Sequence, residues 1–184
     1  MARLAALPID TPTPLAGRTG QLDVVVHATL AAAEAERRAL EAHGVLTPYQ
    51  RYDWVASLVA AGADPDGRIA IVSIRRDGQT QAILPLLIEP SYGAICARLL
   101  GAHQSNSDWI LSLPNGPVSP ADLLAVFERI AQACGGIDLM LLRNQPAEWQ
   151  GMANPMLALP HTPAPANLYA TRIGGTPVPM SSIA

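Results

Sequence analysis

The chain has 184 residues, 49% of them hydrophobic and only 15% charged, which is enough apolar side chain for a sizeable core and argues against disorder. A net charge of -3, with twelve Lys and Arg residues that form no basic run, argues against a nucleic-acid partner. Cys96 and Cys134 make no spaced framework, and proline interrupts each uncharged window before it reaches membrane-span length. The expectation is a cytoplasmic protein with reduced, buried thiols and no membrane segment, its first nine residues being too short and too broken by Pro8 for a secretory signal.

Residues 1–20, with Pro8, Pro12, Pro14, Gly17 and Gly20, carry no apolar period and read as a flexible lead-in to a domain spanning 21–173. Residues 22–27 make a first strand. Over 28–43, Leu30, Ala33, Arg37 and Leu40 share one helical face and Glu34, Arg38 and Glu41 another, which predicts a surface helix stopped near Gly44. Glu34, Glu36 and Glu41 are expected on its solvated side. Thr47-Pro48 opens the next helix, because a Thr hydroxyl accepts an orphan backbone N–H and proline at the first position needs no donor. That helix is expected to run to about Ala61, with Tyr49, Tyr52, Trp54, Val55, Leu58 and Val59 as a broad apolar face and Gly62 as its stop.

Ile69-Ala70-Ile71-Val72-Ser73-Ile74 and Gln81-Ala82-Ile83-Leu84-Pro85-Leu86-Leu87-Ile88 flank Arg76-Asp77-Gly78, a hairpin pattern. Residues 94–100 supply a third antiparallel strand, and the stretch from Gly101 to Asp108 is the densest cluster of uncharged hydrogen-bonding groups in the chain. A short strand is expected over 108–111 and a turn over 114–117. Ser119-Pro120 then repeats the capped start, opening a helix through Leu123, Leu124, Val126, Phe127 and Ile130 to Cys134, where Gly135-Gly136 stops it. Residues 137–142 are almost continuously apolar, the pattern of a central strand covered on both faces. Turn chemistry follows at Arg143-Asn144-Gln145-Pro146 and Asn154-Pro155, a further strand is read over 167–173, and 174–184 form a loose tail.

Within this frame His103 is the candidate general base, since an unperturbed imidazole titrates near neutrality, and Asp108 would orient it or bind a substrate hydroxyl. The plainer reading of His103 is a loop residue bonded to Ser105 or Asn106. Asn106 joins Asn144, Gln145 and Tyr52 as candidate substrate contacts; Asn144 and Gln145 close the apolar strand where open α/β sheets place ligands, although their amides could equally tie down the loop. Aromatics such as Tyr52 at helical spacing serve a sugar or acyl pocket or, more commonly, a core. His27, His43, His103 and His161 have no metal-ligand spacing, so no metal is expected, and no Ser-His-Asp arrangement or P-loop is present.

The order strand, helix, helix, three antiparallel strands, helix, strand is that of the GNAT acyltransferase fold. Thr47-Pro48-Tyr49-Gln50-Arg51-Tyr52-Asp53-Trp54, Ile83-Leu84-Pro85-Leu86, Leu99-Leu100-Gly101-Ala102-His103 and Leu141-Leu142-Arg143-Asn144-Gln145-Pro146, with Asn154-Pro155, resemble the first half of the cellulose-biosynthesis-associated, CelD-like acetyltransferases, which are related in architecture to FemAB aminoacyl transferases. The resemblance covers residues 22–173. It implies an α/β (α+β) GNAT-like fold, a mixed and mostly antiparallel sheet flanked by helices. It also implies acetyl-CoA as acyl donor, a small-molecule acceptor and a role in polysaccharide biosynthesis. In that family an acetyltransferase half follows the first, so the expectation is a truncated copy or dissociated half, weak alone, whose partner is a second GNAT lobe or another copy in a homo-oligomer.

A GNAT enzyme seats the CoA pyrophosphate on backbone N–H groups at a helix N-terminus, with the usual signature Gln or Arg, two residues, Gly, one residue, Gly or Ala. The matching segment, 114–121, has no such spacing and holds Pro117 and Pro120, which lack N–H groups. Gln132-Ala133-Cys134-Gly135-Gly136-Ile137 approaches the signature but leads out of a helix into a strand. Binding of acetyl-CoA by this chain alone is therefore not expected, and the alternative is a non-catalytic module that binds or oligomerises through an exposed sheet edge.

Overall fold

The computed structural model describes residues 22–62, 67–91, 93–101, 104, 111–112 and 120–161. Its strands are β1 (Leu22–His27), β2 (Arg68–Arg76), β3 (Gln79–Ser91), β4 (Ala94–Leu99), β5 (Leu111–Ser112) and β6 (Leu139–Leu141), with a separate hairpin of β7 (Glu148–Trp149) and β8 (Met152–Ala153). Its helices are α1 (Glu34–Glu41), α2 (Tyr52–Ala60) and α3 (Pro120–Ala133). The β2–β3 hairpin closes on Asp77 and Gly78, whose φ angles of 50° and 77° are those of a tight turn with both central residues left-handed. Such a turn matches strand twist, and Asp-Gly adopts it at little steric cost.

The sheet order is β1-β2-β3-β4-β6, with β5 paired to β3 beyond the end of β4. Every pairing is antiparallel except β4 with β6. This is the mixed, mostly antiparallel sheet flanked by helices that the sequence predicts. Side chains alternate across β2 and β3, and both faces are buried. Ile71, Ile83 and Leu87 pack under Leu30, Ala33, Leu40, Tyr52 and Val55 on the α1–α2 side, while Val72, Ile74, Leu84 and Leu86 meet Leu123, Val126 and Ile130 of α3 on the other. Each fully buried aliphatic side chain here contributes about 1.5–3 kcal/mol relative to exposure.

Register breaks once in the hairpin, between Ile74 paired with Ala82 and Arg75 paired with Thr80, so Gln81 is the extra residue of a bulge. Without it Gln81 would oppose Arg75; with it Thr80 turns to the α1–α2 face beside Arg75.

Three expectations change. The helix begun at Thr47 is broken: Pro48–Gln50 form one turn, closed by a capping box between Thr47 and Gln50, and Arg51 is extended (ψ 141°) before α2 starts at Tyr52. Only Tyr52 and Val55 of α2 are buried, while Trp54 and Val59 face outward. The apolar run 137–142 is not a central strand: β6 is the outermost strand of the described sheet and Leu139 is 49% exposed. The lead-in 1–20, the strand read over 167–173 and the tail lie outside the described residues.

Candidate functional site

Parallel pairing of β4 with β6 aligns Cys96 with Leu139 and Arg98 with Leu141, so the two strands end side by side. After β4, Leu100 N still donates to Pro85 O (2.8 Å); Gly101, at φ 78°, then turns the chain away, and Gln104 N donates to Gly101 O (2.9 Å). Beyond β6, Asn144 adopts φ 52°, a left-handed geometry that Asn tolerates better than most residues. The polar stretch starting at Gly101 and the turn holding Asn144 and Gln145 therefore leave the sheet at the same end. The Cδ1 tip of Leu58 of α2 lies where a Gly101 Cβ would sit, so any other residue there would have to push that leucine tip aside.

His103, Asn106 and Asp108 lie outside the described residues. Asn144 is exposed at the rim. Gln145 has both ends of its amide engaged: Nε2 donates to Arg143 O (3.2 Å), and Oε1 accepts from Asn154 Nδ2 (3.0 Å). Asn154 in turn donates to Pro146 O (2.9 Å) and accepts from Met156 N (3.0 Å), so these amides fasten the turn to the β7–β8 hairpin. Trp149 anchors that hairpin by donating to Leu46 O (2.9 Å).

Tyr52 is buried, with its ring beneath the Arg38 guanidinium (4.4 Å to the centroid) and its hydroxyl donating to Glu34 Oε2 (3.0 Å). Its backbone N–H donates to Glu41 Oε1. Arg38 also pairs with Glu34 and Asp53, each at 2.8 Å, so the polar end of Tyr52 belongs to a clamp between α1 and α2. Within it Arg38 holds the Asp53 and Glu34 carboxyls below their usual range. Under the clamp Arg37 is completely buried. It donates to Gln50 O, and Glu41 lies 3.6 Å from its Nε. Burial pulls its pKa down to about 10 despite Glu41.

A second polar group was not foreseen. Glu36 is not on a solvated face; its carboxylate points at the sheet and accepts from Arg75 Nε and a terminal Arg75 nitrogen (3.0 Å each), from Ser73 Oγ (3.0 Å) and from Thr80 Oγ1. His27 Nε2 lies 3.2 Å away. Burial alone would raise the Glu36 pKa, but the bonds from Arg75, Thr80 and Ser73 outweigh it and hold the group at about 2. The grouping has a serine, a histidine and a carboxylate without a hydrolytic relay. One ring nitrogen of His27 faces both partners, Ser73 Oγ is 3.4 Å from it, and that hydroxyl is fully buried and bonded to Glu36. Its sequence signal was available: Ile71, Ser73 and Arg75 alternate onto one face of β2, beneath the helix that carries Glu36.

Both cysteines are free and buried, and burial pushes the Cys134 thiol up, which suits an inert side chain. Among the described residues no group of His, Cys, Asp and Glu could hold a metal ion, and no helix is long and apolar enough to cross a membrane.

The loop before α3, residues 113–119, lies outside the described residues, and the described ends of α3 offer a CoA diphosphate little. Helix α3 opens on Pro120, which has no N–H, and at its other end the Gly135 and Gly136 N–H groups are bonded to Gln132 O and Ala131 O.

No protein-family model matches the chain, and no curated protein matches it. Among solved structures the chain is similar to the aminoglycoside N-acetyltransferase AAC(6')-Iy in complex with CoA, at 16% identity and a TM-score of 0.45 over 86% of this chain and 100% of that one. It is likewise similar to the ribosomal-protein-alanine N-acetyltransferase from Brucella melitensis biovar Abortus 2308, at 15% identity and a TM-score of 0.42 over 83% of this chain and 99% of that one.

Proposed function

We propose that this chain is a lobe of a GNAT-type acyltransferase that supplies acceptor-substrate surface and is weak or inactive alone, with acetyl-CoA held elsewhere. The observation that carries this reading is the parallel β4–β6 pair, whose neighbouring carboxyl ends lead into the densest cluster of uncharged hydrogen-bonding groups in the sequence and into the Asn144-Gln145 turn. In it Asn144 and Asn106 meet the acceptor, His103 takes a proton from the attacking group, and Asp108 orients His103 or binds a hydroxyl. Tyr52 and Gln145, whose polar ends are already engaged, support the wall from behind. The CelD-like motifs support an acceptor from polysaccharide biosynthesis.

The test is an amide chemical-shift titration of the purified chain with small saccharide and amine acceptors, beside an assay for acetyl-CoA turnover. Shifts clustered at Gly101, Gln104 and Asn144 with negligible turnover are expected. Robust turnover by the chain alone, abolished by His103→Ala or Asp108→Asn, would contradict the assignment of the donor site elsewhere. A second reading, a non-catalytic module that associates through its sheet, is favoured by the place of β6 as the outermost strand among the described residues.

A further inference from the structure

Helix α2 turns one flank toward the end of β4. Tyr52, Val55 and Ala56 face the sheet, and at about 100° per residue Trp54, Leu58 and Ala61 fall together to one side of that contact. The tip of Leu58 abuts Gly101, where the chain leaves β4, so this is the flank that borders the start of the polar stretch. One turn before Leu58, Trp54 is 38% exposed, yet its ring is held: Tyr49 meets it edge-on, with centroids 5.4 Å apart and planes at 79°. Tyr49 sits in the single turn Pro48–Gln50, which the Thr47–Gln50 capping box closes and whose Gln50 O accepts from the buried Arg37. A helical side chain leans toward the N-terminus, the direction in which Tyr49 lies. Trp54 thus presents an open indole surface that a fixed turn has already oriented.

We propose that Trp54 is the stacking platform for a neutral pyranose ring of the acceptor, with the Gln104 amide beside the hydroxyls of that ring. The inference deepens the acceptor-surface reading above and rests on it. A sugar ring has a C–H face that packs on an aromatic face and a rim of hydroxyls that neutral amides can serve as donor and acceptor. Gln104 is exposed and tied by its backbone N–H to Gly101 O (2.8–2.9 Å range of an ordinary bond), which keeps it within one turn of the residue that Leu58 touches. A cationic amine could also lie on an indole face, but it calls for a balancing carboxylate. Those of the α1–α2 pair are engaged: Glu34 and Asp53 by Arg38 (2.8 Å each), and Glu41 beside Arg37 (3.6 Å). The flank itself, Trp54, Leu58 and Ala61, carries no charge, so it favours a neutral ring over an ion.

A titration of the full chain with cellobiose, maltose and spermidine, read on indole and amide chemical shifts, tests this. A disaccharide should move the Trp54 Nε1–H together with the Gly101 and Gln104 amides, with one dissociation constant for all three signals, and spermidine should leave them in place. Trp54→Ala should weaken disaccharide binding about tenfold. Trp54→Phe, which keeps a ring, should lose far less; it also assigns the indole signal and keeps the test intact should the alanine variant fold poorly. Val59→Ala, at an equally exposed apolar position of α2 away from this flank, should bind as the wild type does. Disaccharide shifts at Gly101 and Gln104 that bypass the Trp54 indole, or that persist undiminished in Trp54→Ala, would overturn the platform and leave the acceptor-surface reading standing. Spermidine moving the indole where the sugars do not would overturn the neutral ligand class. No shift with any probe would remove the acceptor-surface reading, and the platform with it.

Discussion

Glu36 shows how one carboxylate fixes the docking of a helix. It is reached from β1 by His27, from β2 by Ser73 and Arg75, and from β3 by Thr80, so α1 cannot slide along the sheet without breaking several charge-assisted bonds at once. Its folded pKa of about 2 lies below the ordinary 4.5, so the fold favours the charged form. The stabilisation is therefore complete above pH 4.5 and is lost as pH falls through about 2. At about 1.4 kcal/mol per pH unit the shift corresponds to about 3 kcal/mol at most. Replacing Glu36→Gln should lower the unfolding free energy at neutral pH by about 2–3 kcal/mol, because Arg75 then loses its counter-charge. Urea titrations at a series of pH values check this. The variant should have a flatter acid limb than the wild type, and parallel limbs would show that Glu36 contributes no pH-dependent stability.

At the scale of elements, turns were legible where the chemistry is local, and strand placement was not. Asp77-Gly78 announced its hairpin because two adjacent left-handed residues are cheap for that pair. Gly62 and Gly135-Gly136 marked their helix ends for the same reason. Burial of β6 was misjudged because an apolar run has the same pattern at a sheet's centre and at its edge; the difference lies in which strand comes next, a non-local fact. The break at Arg51 was hidden because the Thr47–Gln50 capping box satisfies a single turn as well as a long helix. Of the candidate site, the shared exit of the Gly101 and Asn144 stretches needed the β4–β6 pairing, which no local spacing encodes.

Gly78 and Gly101 separate backbone strain from steric exclusion. Both have positive φ, but a methyl group at Gly78 meets open space whereas one at Gly101 collides with Leu58 Cδ1. Gly78→Ala should cost about 1 kcal/mol from backbone strain alone. Gly101→Ala should cost somewhat more, because the tip of Leu58 must swing aside, and Leu58→Ala should recover that excess in a double-mutant cycle. Additive single effects would mean that Leu58 does not confine the start of the polar stretch.

For the molecule as a whole, the decisive feature is that two side-chain cores share two strands. The cluster under α1 and α2 and the cluster under α3 do not touch through their helices; they meet through β2 and β3, which send Ile71, Ile83 and Leu87 one way and Val72, Leu84 and Leu86 the other. Melting either layer bares one face of strands that the other layer needs, so the layers should unfold together. Leu123→Ala, a truncation at a fully buried position on α3, probes this from one side. It should cost about 2–5 kcal/mol. Tryptophan emission, to which Trp54 of α2, Trp149 of the hairpin and Trp109 all contribute, should still change in one transition coincident with the loss of far-ultraviolet circular dichroism. Two resolved transitions in the variant, with the α1–α2 layer persisting after α3 is lost, would mean that the shared strands hold one helical layer without the other, and that the sheet separates its two cores rather than coupling them.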